Sequence, residues 1–365
     1  MMETPGLLWT VACFILVIGP LVFIHELGHF LVARWCGVQV EIFSIGFGRE
    51  LFGWTDRHGT RWKVAWMPLG GYVRFAGDMN GASVEDTRWR QLPPGQRDRV
   101  FHAKPLWQRA LIVFAGPLAN FVAAIAILGT FAAAYGESKI PPVVEVLQQG
   151  SPADTAGIRV GDRITKVGNR SVETFDEIYP IIQDRPGIEL QMSLVRDGQN
   201  INVSVTPRTV LEKDRFGNEY RIGRIGIAPA AARFVEPVPA YMAPVAGVRQ
   251  TFEILDRMVN GLWQLVTGRR SIDELGGPIK IAQLSGQAAT LGWLEFVYLV
   301  ALISINLGFI NLLPVPMLDG GHLSFYAIEA VRRRPVNPRT MELAFRSGMY
   351  VLLALMVFVT LNDLV

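Results

Sequence analysis

Four long apolar segments constrain the fold of this chain more than any other feature of its sequence. They cover residues 6–32, 110–135, 291–318 and 348–361. A membrane-spanning helix needs about 20 apolar residues, so the first three are long enough and the fourth must extend back to Ala344. Half of the residues are hydrophobic (50%) and only 18% are charged, which is too apolar for an ordinary soluble protein. We therefore expect a polytopic α-helical membrane protein with about four transmembrane helices.

The distribution of lysine and arginine predicts the orientation. Lysine and arginine are frequent in the regions 34–109 and 332–339, and none precedes Arg34 or follows Arg346. The stretch 136–290 also holds many of them, but the positive-inside rule does not apply to long domains. By the positive-inside rule both regions face the cytoplasm, while both termini and the stretch 136–290 lie outside. No basic residue or small-residue cleavage site marks the first segment as a signal peptide, so we expect it to be retained. The net charge of +3 is too small to indicate a nucleic-acid partner.

Three ionisable residues end the first apolar segment, in the sequence HELGH at 25–29. His25 and His29 are four residues apart, which places them about 40° apart on one helical face with a rise of roughly 6 Å. This is the H-E-x-x-H zinc pattern, in which Glu26 acts as general base. The alternative is a chance match in a solvated or packed helix face. Because unpaired ionisable groups are costly in lipid, the surroundings favour a metal site.

A zinc protease site needs a third protein ligand. The sequence NLLPVPMLDGGH ends the third apolar segment on the predicted cytoplasmic side and offers Asp319 and His322. Spacing alone does not choose between them. His58, in a predicted hairpin turn, and His102, in a polar loop, are expected to be surface residues.

Residues 140–208 predict a small β-rich module outside the membrane. Alternating strands flank the hairpin signal RDGQN, and two short segments have helical spacing. The order of elements and the sequence GSPADTAGIRVGDRITKVGN resemble a PDZ domain, which implies binding of an extended peptide by strand addition. A small structural barrel without a ligand is the alternative. Segment 247–267 predicts an amphipathic helix that lies on the membrane or packs on this module.

The paired motifs HELGH and NLLPVPMLDG, with a PDZ-like insert between them, resemble the site-2 protease family of intramembrane zinc metalloproteases, and its bacterial RseP-type branch in particular. PLGGYVRFAGD at 68–78 and FAGPLANF at 114–121 fit that branch. The resemblance implies Zn²⁺ as cofactor, with Asp319 as third ligand beside His25 and His29 and with Glu26 catalytic. His322 is then a supporting or structural residue.

The resemblance also implies a set of substrate-binding residues. In the family, the sequence GGYVRFAG forms a re-entrant β-loop whose edge strand is suited to pairing with an unwound substrate. An ordinary cytoplasmic hairpin is the alternative. Polar and proline residues interrupt the third span and either bind the opened substrate backbone or hold helices together. The residues concerned are Gly70, Gly71, Tyr72, Val73, Asn306, Asn311, Pro314 and Pro316.

The resulting domain prediction divides the chain into eight parts. They are a first span with HELGH (1–33), a cytoplasmic or re-entrant β region (34–105), a second span (106–135), a PDZ-like domain (136–208), a post-PDZ amphipathic region (209–290), a third span with the LDG motif (291–322), a basic cytoplasmic loop (323–343) and a fourth span (344–365).

The expected function is hydrolysis of peptide bonds within transmembrane segments of single-span proteins that another protease has already shortened. The resemblance implies anti-sigma factors or signal-peptide remnants as substrates, in the bacterial inner membrane, with the active site toward the cytoplasm. Members with two tandem PDZ domains are known, and only one such pattern occurs here, so size-filtering by a tandem pair does not carry over. The rival functions are an inactive PDZ-bearing membrane scaffold and a metal transporter. Glu26 and Asp319 are both present, and the second and fourth spans offer no metal ligands, so both rivals are weak.

Overall fold

The computed structural model describes residues 6–78, 87–213, 219–229, 234–267 and 276–363. The chain divides into two compact units, which are described separately below. The helical unit comprises residues 1–129, 247–256 and 275–365, and the β-rich unit comprises residues 130–246 and 257–274.

Four helices of the described chain are long and apolar enough to cross a membrane, as the sequence predicts. Their apolar side chains point mostly outward, with only 17% to 44% of each span buried inside the protein. This pattern is the one expected of helices that face lipid. The four helices are α1 (Leu7–Trp35), α3 (Leu106–Tyr135), α8 (Trp293–Leu312) and α10 (Pro338–Asn362).

Shorter helices complete the set and change two of the expected boundaries. Helix α8 ends at Leu312 because Pro314 and Pro316 follow it and lack the backbone N–H that a helix needs. The region 323–343, expected as a basic loop, holds most of α9 and the start of α10, where the Asn337 side chain accepts a hydrogen bond from the Arg339 N–H at 3.0 Å. The remaining helices are α2 (Pro94–Arg97), α4 (Pro152–Thr155), α5 (Phe175–Gln183), α6 (Ala243–Val266), α7 (Pro278–Leu291) and α9 (Asp319–Arg332).

A bent hairpin of β1 (Val40–Thr55) and β2 (Arg61–Phe75) packs against α1. Residues 42–45 pair with 61–64 on one side and with 71–74 on the other, so that two strands build four rows of one sheet. Positive φ angles at Gly46 (86°), Gly48 (90°) and Gly70 (97°) allow the chain to fold back in this way. The outer row that ends at Phe75 therefore has one free edge among the described strands.

The β-rich unit has an apolar interior. A four-stranded antiparallel sheet has the strand order 170–171, 163–167, 190–196 and 199–205 and shares its apolar core with helix α5. Three antiparallel pairs belong to the same unit, namely 144–147 with 227–229, 208–213 with 219–224 and 137–139 with 234–236. Residues beyond 208, expected to follow the PDZ-like domain, thus contribute four strands to the same unit. The strands are β3 (Glu137–Lys139), β4 (Val144–Leu147), β5 (Arg163–Val167), β6 (Arg170–Ser171), β7 (Leu190–Arg196), β8 (Gln199–Val205), β9 (Arg208–Lys213), β10 (Glu219–Arg224), β11 (Ile227–Pro229) and β12 (Phe234–Glu236).

One buried charge in this unit is fully accommodated. Both carboxylate oxygens of Asp162 accept hydrogen bonds from Arg196 at 2.7 Å, and the Arg159 backbone N–H donates a third bond at 2.7 Å. Burial alone raises the pKa of a carboxyl group, but these donors outweigh it and hold the pKa of Asp162 below its ordinary value. Asp162 is thus buried as a hydrogen-bonded ion pair with Arg196, and its charge is not left unpaired.

Candidate metal centre

Three potential metal ligands converge in the helical unit. His25 and His29 project from α1, and Asp319 is the first residue of α9. Oδ2 of Asp319 lies 3.1 Å from Nε2 of His25 and 3.5 Å from Nε2 of His29, while the two Nε2 atoms are 3.3 Å apart. A tetrahedral zinc ion with bonds of ~2.0 to 2.1 Å separates its ligand atoms by about 3.3 Å. The triangle therefore has the size of one face of a zinc coordination sphere.

The surroundings of these atoms also fit a metal ion. The Oδ2 atom of Asp319 is buried and has no hydrogen bond of good geometry within the described residues. Uncompensated buried carboxylate oxygens are costly, and a divalent cation is the kind of partner that removes the cost. Two imidazoles and one carboxylate are also a ligand set that zinc uses in proteases.

Two groups on α3 contact the Nδ1 atoms of the two imidazole rings. Nδ1 of His29 lies 2.8 Å from the Ile112 carbonyl oxygen, to which it donates its proton, so that Nε2 keeps a free lone pair. Nδ2 of Asn120 lies 3.0 Å from Nδ1 of His25, and Oδ1 of Asn120 is buried without a partner among the described residues. Turning the amide by 180° would bring Oδ1 to the ring, where it would accept the Nδ1 proton and leave Nε2 of His25 free as well. Asn120 is fully buried, and its backbone carbonyl accepts a hydrogen bond from Ser304 on α8 at 2.8 Å.

Close helix packing at this level depends on Gly116 of α3. A Cβ atom on Gly116 would overlap the imidazole of His29. Because Gly116 has no side chain, the His29 ring lies directly against the α3 backbone and is held there in one orientation. Gly116 therefore determines where the His29 ring lies in the site.

Glu26 lies beside the triangle, against the edge row of the hairpin. Its carboxylate accepts a hydrogen bond from the Val73 backbone N–H. A Cβ atom on Gly71 would come within 3.1 Å of Cγ of Glu26 and 2.7 Å of the Ser44 carbonyl oxygen, so this row of the sheet approaches α1 as only glycine allows. Glu26 itself is buried. The arrangement places an ionisable carboxyl group next to both the possible metal position and the free strand edge.

A cavity of about 300 Å³ opens onto these groups. His322 lines it one helical turn after Asp319, and its ring contacts Phe345 with centroids 4.6 Å apart. The lining residues are Val22, His25, Glu26, His29, Gly70, Gly71, Tyr72, Val73, Phe75, Val113, Leu307, Asn311, Met317, Asp319 and His322.

The structure brings together most, but not all, of the expected site residues. All four substrate residues expected from the hairpin line the cavity, and so does Asn311. Asn306, Pro314 and Pro316 are not among the lining residues, and the two prolines instead end helix α8. The assignment of ligands and substrate contacts stays a prediction.

The expectation for His102 is wrong. Its Nε2 atom lies 2.9 Å from Oδ1 of Asp78, whose side chain is completely buried, and Oδ2 of Asp78 accepts the Phe75 N–H at 3.1 Å. The polar sequence around His102 gives no sign of this tertiary pairing. His58, by contrast, is exposed in the hairpin turn as expected.

Sequence reasoning missed three groups that shape the site, namely Asn120, Gly116 and the Ile112 carbonyl. Asn120 carried a signal, since it is the one strongly polar residue of the second apolar segment. Polar residues within a span point to functional contacts more often than to chance. A backbone carbonyl carries no such signal.

Comparisons with known proteins agree with this geometry. The family model described as peptidase family M50 matches residues 13–355. A protein of Mesorhizobium japonicum that is named a zinc metalloprotease is 43% identical over 363 residues, 98% of this chain and 99% of its own length. A similarly named protein of Agrobacterium fabrum is 44% identical over 96% of this chain and 94% of its own length. Metalloprotease MmpA of Caulobacter vibrioides is 36% identical over 98% of this chain and 96% of its own length.

The chain belongs to peptidase family M50. The prediction of a site-2-type zinc metalloprotease is thereby confirmed at the level of the family. Among solved structures, the PDZ domain of an SdrC-like protein from Listeria monocytogenes matches with 18% identity, over 26% of this chain and 88% of that domain, at a TM-score of 0.20. A TM-score this low does not establish a shared fold, so PDZ-type peptide binding by region 136–208 stays a prediction.

Proposed function

We propose that this protein is a zinc endopeptidase that hydrolyses peptide bonds within the transmembrane segments of single-span membrane proteins. The observation that carries the proposal is the cavity among apolar helices, which contains three converging ligand atoms, a neighbouring carboxylate and a free strand edge. Each of these parts serves one requirement of peptide hydrolysis inside a membrane.

His25, His29 and Asp319 would hold the zinc ion. When bound, zinc supplies Lewis acidity that makes water and carbonyl groups reactive near neutral pH. Three protein ligands leave the fourth position open, as catalytic zinc sites require. The Ile112 carbonyl keeps the His29 imidazole in the tautomer that binds metal, and Asn120 would do the same for His25 with its Oδ1 turned toward the ring.

Glu26 would move the proton. Its carboxylate accepts a proton from the attacking water as the oxygen bonds to the scissile carbonyl carbon. The same proton then passes to the leaving amine nitrogen as the C–N bond breaks. The Val73 N–H donates a hydrogen bond to the carboxylate and fixes its direction in the cavity.

The substrate would enter as an extended strand. A transmembrane helix hides its amide groups in internal hydrogen bonds, so it must unwind before hydrolysis. Within the edge row 71–75, the Val73 N–H already donates to Glu26 and the Phe75 N–H to Asp78. The unwound segment would therefore pair with the remaining backbone groups of this row, and Gly70, Tyr72 and Asn311 line the space beside it. Gly71 of the hairpin lies against Val22 and Glu26 of the apolar helix α1, which supports a re-entrant position for the hairpin. Backbone outside a helix is tolerated at that depth when protein or a wet cavity surrounds it.

The basic regions 34–109 and 332–339 support a cytoplasmic position for the hairpin and the α9–α10 turn, and an extracytoplasmic position for the β-rich unit and both termini. We propose the bacterial inner membrane as the location. The substrates would be proteins that another protease has shortened, such as anti-sigma factors or signal-peptide remnants. The β-rich unit would bind a peptide by strand addition.

The test compares wild type with Glu26→Gln, both purified in detergent, on a tagged single-span substrate that lacks its external domain. Bound zinc is measured in the same samples, and His58→Ala serves as a control variant with an exposed histidine removed. We expect cleavage by wild type and by His58→Ala, no cleavage by Glu26→Gln, and equal zinc in all three. Equal cleavage by Glu26→Gln would overturn the role of Glu26. Folded wild type without zinc would favour an inactive scaffold.

A further inference from the structure

Four arginines gather at the turn between α9 and α10. Arg332 ends α9, Arg333 and Arg334 follow it, and Arg339 lies in the first turn of α10. We call these four residues the arginine cluster. Arg333 has a positive φ of 53°, which ends the helix and reverses the chain, so that the four residues fall at one end of the helix pair.

No acidic side chain compensates the arginine cluster within the described residues. The two nearest acidic residues in sequence are engaged elsewhere. Glu329 pairs with Arg109 at 2.8 Å, and Glu342 pairs with Arg346 at 2.8 Å. All four residues of the cluster are exposed. The turn therefore carries four positive charges that are available to an external anion.

The neighbouring side chains indicate where that anion comes from. Val331 is 84% exposed and Leu343 is 69% exposed, and both flank the arginine cluster. Arg339 lies in the first turn of α10, a helix that is long and apolar enough to cross a membrane. Large apolar side chains next to arginines at the start of a span are typical of the boundary between headgroups and acyl chains, where the stems lie in lipid and the charges reach the phosphates.

We propose that the arginine cluster is a binding site for the phosphate groups of anionic phospholipids. The site is separate from the metal centre, although α9 connects the two. Asp319 begins that helix and Arg332 ends it, so a helix of 14 residues joins the ligand to the cluster. Lipid phosphate at the far end of α9 would restrain the helix that carries Asp319.

Charge placed at this turn also helps to set the orientation of the chain during insertion, and that role alone requires no lipid preference. The two roles are separated by measuring lipid retention on the folded protein. The full chain in detergent is titrated with phosphatidylglycerol or with phosphatidylcholine of the same acyl chains, and retained lipid is counted by native mass spectrometry.

We expect wild type to retain phosphatidylglycerol preferentially. Each arginine near an anionic surface contributes a factor of about five, so Arg332→Gln/Arg333→Gln/Arg334→Gln should lower the preference at least tenfold. The matched control removes three exposed arginines of the β-rich unit, Arg163→Gln/Arg170→Gln/Arg185→Gln, and should keep it. Arg332→Lys/Arg333→Lys/Arg334→Lys keeps the charge and should retain most of the preference, which keeps the test decisive where the glutamine variant folds poorly.

Three results would overturn the proposal. The first is equal retention of the two lipids by wild type, and the second is an undiminished preference in a folded glutamine variant. The third is complete displacement of phosphatidylglycerol by millimolar glycerol phosphate, which would show that the cluster binds a soluble phosphate and does not require a lipid.

Discussion

The helical unit and the β-rich unit bury opposite kinds of side chain. The interior of the β-rich unit is apolar, with Ile164, Ile178 and Leu194 completely buried. In the helical unit, many apolar side chains face outward, while His25 and Glu26 are buried among the helices. In water the hydrophobic effect favours the first arrangement, and in lipid an unpaired polar group is the larger cost. In the β-rich unit, the buried Asp162 therefore serves the stability of the fold through its pairing with Arg196. In the helical unit, the buried His25 and Glu26 indicate a functional site.

The comparison predicts that substitutions in the helical unit change zinc binding and cleavage, whereas those in the β-rich unit change stability. The largest effect on zinc binding and cleavage is expected from Asp319→Ala, which removes one of the three predicted metal ligands. Bound zinc should fall to background and cleavage should become undetectable, because two imidazoles alone hold zinc weakly. Metal analysis and a cleavage assay measure both quantities. Full zinc occupancy in this variant would place the metal elsewhere.

A smaller effect is expected from Gly116→Ala. The added methyl group would collide with the His29 imidazole and move it from its position, and misplacement of about 1 Å at an active site costs on the order of 100-fold in rate. The control is Gly19→Ala on α1, where nothing lies within 4 Å of the added Cβ atom. Equal cleavage rates for the two alanine variants would show that His29 is not held by this contact.

Asn120→Ala should act on the metal through His25. Loss of a group that orients a metal-binding histidine typically lowers metal affinity about 10- to 100-fold. Competition with a zinc chelator measures this change. Asn120→Asp keeps an acceptor for the Nδ1 proton and should recover much of the affinity, which a purely structural role of Asn120 would not predict. An unchanged affinity in the alanine variant would remove Asn120 from the site.

The smallest effect on function is expected from Asp162→Ala in the β-rich unit. Loss of its hydrogen bonds should lower the local free energy of opening of β5 and β7 by about 2 kcal/mol, as measured by hydrogen exchange, with zinc and cleavage unchanged. Asp184→Ala, at an exposed position, is the control.

The same carboxylate predicts a pH dependence. The pKa of Asp162 is lowered in the folded state, so its contribution is complete above the ordinary value of 3.8 and is lost as the pH falls through the lower folded value. The difference between wild type and Asp162→Ala should therefore stay constant from neutral pH to about pH 5 and shrink below about pH 4. A difference that shrinks on raising the pH instead would contradict the assignment.

The sequence predicts the metal centre well where its parts share one element. His25 and His29 converge because helical geometry alone brings residues four apart onto one face. Asp319 belongs to another helix, and residue spacing left it open against His322 until the family resemblance favoured it. The Asp78–His102 pair shows the same limit, because a tertiary contact between two loops leaves no periodic signal.

The bent hairpin could be predicted only in outline. The sequence indicates strands near GGYVRFAG, but the double pairing of residues 42–45 depends on glycines that adopt positive φ. Strand patterns fix which face is buried far better than they fix register when a strand folds back on itself. The edge strand itself is expected from the sequence, but its position beside Glu26 comes from the structure.

The most direct test of the central claim is X-ray absorption spectroscopy at the zinc edge on the purified, folded protein. The account predicts about one zinc per chain, surrounded by four nitrogen or oxygen atoms at ~2.0 to 2.2 Å, two of them from imidazole rings. Asp319→Ala should lose this spectrum, and His58→Ala should keep it. Sulfur scattering at about 2.3 Å, or folded and active protein without zinc, would contradict the account.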